Sequence, residues 1–281
     1  RPEWCIFHVA TMMAGGAPAG IYGTCSPEEV AYIVDHSESP VVIVEDIPQW
    51  KKIEAQRANL PRLKYVVLMA GAPKVDDPMV LSWEAFLAKG DGVPEDRLME
   101  RLHALEPSGL ATLIYTSGTT GPPKGVMLTH ENLAWTSLAA NNLVKQTAGD
   151  WSLSYLPLSH IAEQMFTIHG PITIGSRTYF AENITKLREN LKEVQPTVFF
   201  GVPRVWEKFY SGVHGKISQA TGIKGKLVNW AMGVGRRAAE ERSKGGTPSS
   251  LEYKLAKKLV FDKLKPELGL GNVRICVSGA A

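Results

Sequence analysis

The stretch Tyr115-Thr116-Ser117-Gly118-Thr119-Thr120-Gly121-Pro122-Pro123-Lys124-Gly125 places three glycines, four hydroxyl side chains within Thr116–Thr120 and one lysine together with almost no bulk. Glycines let backbone N–H groups turn toward one centre, and hydroxyls add donors suited to phosphate oxygens. Lys124 adds a compact positive charge of the kind phosphates pair with. A lysine buried without a partner is costly, and a phosphate is its natural partner. By composition alone a plain Ser/Thr/Gly turn is common. The order of residues is more informative: a Walker A loop needs Gly immediately before its Lys and Ser or Thr immediately after. Pro123 and Gly125 hold those positions here, so that loop is excluded.

Three further segments carry residues of interest. Tyr155-Leu156-Pro157-Leu158-Ser159-His160-Ile161-Ala162-Glu163 puts a histidine behind a short apolar run; alone, such a histidine is more often a satisfied core residue. Gly201-Val202-Pro203-Arg204-Val205-Trp206-Glu207-Lys208 follows another apolar run, and Ser278-Gly279-Ala280-Ala281 follows a third. His8, His36, His103, His130, His169 and His214 have no comparable context.

Residue for residue, 115–125 resembles the signature loop of the adenylate-forming superfamily, which includes acyl-CoA synthetases, luciferases and the adenylation domains of peptide synthetases. The segments at His160, at Gly201–Lys208 and at Ser278–Ala281 resemble further motifs of that superfamily, most like its bubblegum-type long-chain acyl-CoA synthetases. The resemblance implies that Thr116, Ser117, Gly118, Thr119, Thr120, Gly121, Pro122, Pro123 and Lys124 cradle the β- and γ-phosphates of ATP, and that Thr119 or Thr120 ligates Mg²⁺. It also implies that Lys124 and His160 are the catalytic side chains, His160 orienting the carboxylate and steadying charge at the α-phosphate. Gly279, Ala280 and Ala281 would begin the stretch that lies along adenine. Trp206 would gate an acyl tunnel, though a core tryptophan on a helix face is an equal reading.

The activity implied is ATP-dependent activation of a long-chain fatty acid to its CoA thioester through an acyl-adenylate, with Mg²⁺ as cofactor and CoA as co-substrate. An aryl or amino acid activated by the same chemistry, or a non-catalytic nucleotide-binding fragment, are the alternatives. An amino-acid substrate would want an acidic residue for its amine after His160, where apolar residues and Trp206 stand instead.

The elements that must position these residues alternate between helix and strand. Ser26-Pro27-Glu28-Glu29 is a compact helix start, and Val30, Ile33 and Val34 supply the apolar face. Val41–Val44 and Tyr65–Met69 read as buried strands, with a polar helix around Gln49–Ala58 between them. Further strands are expected at Thr112–Tyr115, Ser152–Leu156, Arg177–Phe180, Thr197–Val202 and Val273–Val277. Helices are expected at Trp83–Lys89, Glu131–Val144, Ile184–Val194 and through much of Arg204–Lys265, with loops at Gly71–Asp77 and Gly90–Asp96. Short strands apolar on both faces and separated by helices predict an α/β fold with mixed, largely parallel sheets and flanking helices. Together with the resemblance, this leads to the expectation that residues 1–281 are a partial AMP-binding N-terminal domain, truncated at both ends and lacking the C-terminal domain.

Composition bounds the remaining classes. Of 281 residues, 44% are apolar and 21% charged, enough for a buried core and against disorder. No apolar run approaches the roughly 18 residues of a membrane span. A net charge of +3 does not suggest a nucleic-acid binder. Residues 201–265 carry fourteen Lys or Arg against five acids, beside an apolar stripe of Leu227, Trp230, Val234 and Ala238. A solvated helical face over a core stripe is the plainer reading, and docking of an anionic partner or a membrane surface, as peripheral contact, the other. Cys5, Cys25 and Cys276 are too scattered for a disulfide framework or zinc site and read as buried free thiols in a reducing compartment. The expected location is cytoplasmic or peripheral on a cytoplasmic membrane face. Oligomeric state has no sequence signal.

Overall fold

A computed structural model describes residues 1–116, 121–219 and 221–279. Among these are ten strands: β1 (Ala19–Gly20), β2 (Val41–Val44), β3 (Tyr65–Leu68), β4 (Val80–Ser82), β5 (Leu110–Thr116), β6 (Lys124–Thr129), β7 (Trp151–Ser154), β8 (Arg177–Phe180), β9 (Val198–Gly201) and β10 (Ile275–Ser278). They form four small sheets, ordered β1-β5-β6, β2-β3-β4, β7-β8 and β9-β10. Every pairing is parallel except β5–β6. The α/β architecture with largely parallel, mixed sheets is as the apolar runs predict.

The chain packs as two compact units, Arg1–Leu143 with Leu156–Thr173, and Val144–Tyr155 with Ile174–Ala281. In the first, the helix Pro27–His36 opens on a complete capping box: Ser26 accepts from Glu29 N–H, and the Glu29 carboxylate accepts from Ser26 N–H. Its buried face, Val30, Val34 and neighbours, packs on β2 and β3 around Trp50 and Ile53, each 1% exposed. Burying such side chains contributes about 1.5–3 kcal/mol apiece, which anchors this sheet beneath the first helices.

The second unit has two apolar clusters. Leu153, Leu187, Leu191 and Phe199 form one, and Ala231, Val234 and Ala256 the other. The stripe expected beside the basic residues is present: Val234 and Ala238 are buried, with Leu227 and Trp230 half-buried. Asp150 ties this unit together. Its buried carboxylate accepts from Thr147, Thr197 and Arg274, linking the starts of β7, β9 and β10. The Arg274 guanidinium holds the Asp150 carboxyl well below the usual carboxylate range.

Three expectations need correction. Glu95–His103 is a helix where the Gly-, Pro- and Asp-rich composition around it suggests loop up to Asp96. Cys276 lies exposed on β10, and Cys5 and Cys25 are only half-buried. Lys124 is exposed and heads a strand, so the cost of a buried lysine gives no argument for its role. Among the described residues, no helix is long and apolar enough to cross a membrane.

Candidate functional site

In the first unit, β5 and β6 form an antiparallel hairpin in which Thr116 pairs with Lys124 and Tyr115 with Gly125. Paired residues project to the same face of an antiparallel sheet. Thr116 and Lys124 therefore emerge together, both exposed, at the mouth of the loop between them. Tyr115 and Gly125 share the opposite face, where a Cβ on residue 125 would come within 3.2 Å of the tyrosine ring. The glycine lets that ring lie flat across the strand. Tyr115 is pinned in turn by His36, whose Nδ1 lies 2.8 Å from the phenol oxygen, and burial pushes the phenol pKa up. Gly121 has φ +88°, a left-handed conformation that glycine adopts without steric cost.

Ser117, Gly118, Thr119 and Thr120 lie outside the described residues, as do Ala280 and Ala281. Pro122 is exposed and Pro123 half-buried. Their rigid rings set the return of the chain into β6.

His160 stands at the end of a tight turn in which its own N–H donates to the Pro157 carbonyl at 3.0 Å. The fully buried Gln164 holds that turn from below by donating to the Leu158 carbonyl at 2.8 Å. His160 caps the helix Ile161–Gln164: Nδ1 accepts from Ala162 N–H at 3.1 Å. With Nδ1 serving as acceptor, the neutral ring carries its proton on Nε2. The exposed imidazole thus offers a donor. Sequence reasoning missed the support beneath it. A Cβ on Gly20 would sit 2.7 Å from Ser159 Cα, so β1 approaches the turn only because residue 20 is glycine. The Tyr22 phenol hydrogen-bonds the Ser159 side chain.

The remaining site residues lie in the second unit. Trp206, on the helix Pro203–Ser218, donates its indole N–H to the Gly201 carbonyl at 3.0 Å and packs edge-on against Phe199 at 5.4 Å. A Cβ at residue 201 would meet the indole at 2.6 Å, which accounts for the glycine. Gly279 follows β10, with Phe200 as its nearest packing neighbour.

The Thr116 hydroxyl and the Lys124 ammonium are donors that suit phosphate oxygens rather than a bare divalent cation. Among the described residues no group of three or more His, Cys, Asp or Glu could hold a metal ion.

The family model for AMP-binding enzymes matches residues 1–281. The long-chain-fatty-acid–CoA ligase ACSBG2 of Xenopus laevis is 40% identical over 286 residues, covering 99% of this chain and 39% of that protein. The human ligase of the same name is 38% identical over 99% of this chain and 42% of its own length. The chain spans about two fifths of the length of these curated relatives. Among solved structures, the A domain of carboxylic acid reductase from Segniliparus rugosus, in complex with AMP and a co-purified carboxylic acid, superposes with a TM-score of 0.61. Its identity is 19%, over all of this chain and 43% of that one. ATP-bound MatB from Rhodopseudomonas palustris gives 0.55 at 21% identity, over 74% of this chain and 38% of its own.

Proposed function

Since the chain belongs to the AMP-binding enzyme family along its whole length, we propose that it forms part of a protein activating long-chain fatty acids as CoA thioesters, with ATP consumed and an acyl-adenylate between the two steps. The observation that carries this reading is the shared face of Thr116 and Lys124 at the mouth of the loop, together with the likeness to long-chain-fatty-acid–CoA ligases.

In the first step the fatty-acid carboxylate attacks the α-phosphorus of ATP and pyrophosphate leaves. The departing group gains negative charge, and a fixed ammonium and hydroxyl donors stabilise it electrostatically. Thr116, Ser117, Gly118, Thr119, Thr120, Gly121, Pro122, Pro123 and Lys124 are assigned to that cradle. Thr119 or Thr120 would hold Mg²⁺, which would supply neutralisation of part of the same charge. His160 donates from Nε2 to the carboxylate or the α-phosphate, its ring fixed by the Ala162 N–H behind it. Gly279, Ala280 and Ala281 are assigned to the adenine side and Trp206 to the acyl side. In the second step the CoA thiol attacks the acyl carbonyl and AMP leaves. Residues 1–281 are read as one part of the catalytic domain.

The basic segment 201–265 is further proposed to rest on an anionic membrane surface. Arg237 is paired with Glu252 and Arg242 lies over Tyr253, while Lys224 and Lys226 remain exposed near the exposed Ile223. The test of the catalytic reading is fatty-acid-dependent exchange of labelled pyrophosphate into ATP by the whole protein. Exchange with palmitate is expected, and exchange only with amino or aryl acids overturns the substrate assignment.

A further inference from the structure

The His160 turn and the β5–β6 hairpin lie in the first unit, and both meet the short strand β1. Ala19 and Gly20 pair in parallel with Leu113 and Ile114 of β5. Just ahead of them, the Pro18 carbonyl accepts from the Leu113 N–H at 3.0 Å and from the fully buried Thr112 hydroxyl at 2.8 Å. From these contacts β5 runs on to Thr116. Toward the His160 turn, the bare Cα of Gly20 admits the Ser159 backbone, which a Cβ would meet at 2.7 Å. Two residues beyond Gly20, the Tyr22 phenol is hydrogen-bonded to the Ser159 side chain, and Ser159 is only 3% exposed. A hydroxyl buried that deeply needs a partner, since leaving it without one costs its full desolvation.

The imidazole of His160 is exposed, and its orientation follows from the bond that Nδ1 accepts from the Ala162 N–H at 3.1 Å. That bond spans two residues, so its geometry persists only while the backbone of the turn is fixed. Gln164 fixes the turn at the Leu158 carbonyl. Tyr22 fixes it at Ser159, the residue next to the histidine. We propose that Tyr22 is a positioning residue for His160. Through Ser159 it holds the imidazole against β1, and through β1 in register with the strand that ends at Thr116. The inference rests on the catalytic role proposed for His160, and Tyr22 itself is assigned no contact with the reacting atoms.

The test is Tyr22→Phe in the whole protein, with one readout on the ring and one on the rate. Diethylpyrocarbonate attacks the unprotonated imidazole nitrogen, which in His160 is Nδ1, engaged by the Ala162 N–H. Labelling of His160, followed by peptide mass, is expected to run severalfold faster in Tyr22→Phe, while the buried His8 stays as protected as in the wild type. Fatty-acid-dependent pyrophosphate exchange at saturating substrate should fall about tenfold because the ring is misplaced, with KM for ATP unchanged. In a His160→Asn background the same substitution should add less than about twofold, since residues that act through one another are not additive. Ser159→Ala removes a single hydroxyl and should reproduce both effects, so it decides the matter if Tyr22→Phe misfolds. Unchanged labelling of His160 overturns the proposal. So does exchange at the wild-type rate where His160→Asn is slow, or a loss that multiplies in full onto His160→Asn. Wild-type exchange in His160→Asn alone instead overturns the catalytic role of His160, and the labelling then decides whether Tyr22 positions the ring.

Discussion

Thr116 and Lys124 face each other across the β5–β6 hairpin, the last residue of one strand opposite the first of the next. The pairing fixes, by strand hydrogen bonds, the two residues between which positions 117–123 run. One hydroxyl and one ammonium are thereby held on a common face. Beneath them the Tyr115–Gly125 pair and the His36–phenol contact fix the base of the hairpin, so that the loop is mounted on a rigid support.

His160 caps a helix and is proposed to donate from Nε2, and substitution should divide the two roles. Asparagine caps a helix well, whereas alanine does so poorly, at a cost of about 1 kcal/mol. His160→Asn is therefore expected to keep wild-type thermal stability while losing the Nε2–H donor and slowing adenylation by roughly a hundred- to a thousandfold. His160→Ala should lose both. Adenylation at the wild-type rate in the asparagine variant would remove His160 from the chemistry and leave it a cap.

Much of this arrangement is legible in the sequence, and what is not has physical causes. The strands Val41–Val44 and Arg177–Phe180 fall where the sequence puts them, since short apolar or β-branched runs bounded by turn residues have few alternatives. The capping box at Ser26–Glu29 is equally local. By contrast β6 is not among the expected strands: Pro122-Pro123 and Gly125 flank Lys124, and Val126 and Met127 are exposed in the fold rather than part of a buried run. The helix Glu95–His103 buries no residue, and its short stripe of Leu98, Met99 and Leu102 directly follows a Gly-, Pro- and Asp-rich stretch that reads as loop. Asp150 has no local signature at all: its partners Thr197 and Arg274 are 47 and 124 residues away. Of the site, residue types were readable, but the strand pairing behind Lys124 and the Gly20–Ser159 approach were not.

Trp206 is fixed by packing on Phe199 and by the bond to Gly201. Trp206→Ala should therefore cost about 3 kcal/mol of stability. Trp206→Phe preserves an aromatic contact and should cost less. A role on the acyl side adds a second effect, an altered fatty-acid profile from C8 to C24 in the phenylalanine variant, measured as changes in acyl KM with kcat nearly constant. An unchanged profile in both variants would restrict Trp206 to packing.

The buried histidines set an acid limit on stability. Burial first, and His169 second, lower the His8 pKa to about 3. Burial first, and His130 second, lower that of His169 to about 4. Among the described residues, neither ring nitrogen of His8, nor Nε2 of His169, has a hydrogen-bond partner. Unfolded histidines titrate near pH 6.5. Above that value both states are neutral and the contribution to stability is complete. As the pH falls from about 6.5 toward 4, the unfolded chain takes up protons that the folded chain refuses. Stability should fall by about 1.4 kcal/mol per pH unit for each histidine. Urea midpoints measured between pH 7 and 4.5 should decline, and His8→Phe should flatten the slope. An unchanged slope in that variant would contradict the assignment.

The most direct measurement compares two half-reactions in Lys124→Ala. Pyrophosphate is present in adenylation and absent when CoA attacks preformed acyl-adenylate. Loss of a charge-assisted contact of about 1.5–3 kcal/mol corresponds to a rate lower by roughly ten- to a hundredfold or more. Fatty-acid-dependent pyrophosphate exchange should fall by that factor, while thioester formation from added palmitoyl-adenylate stays near wild type. Equal slowing of both steps, or exchange at the wild-type rate, would contradict the assignment of Lys124 and its loop to the departing pyrophosphate.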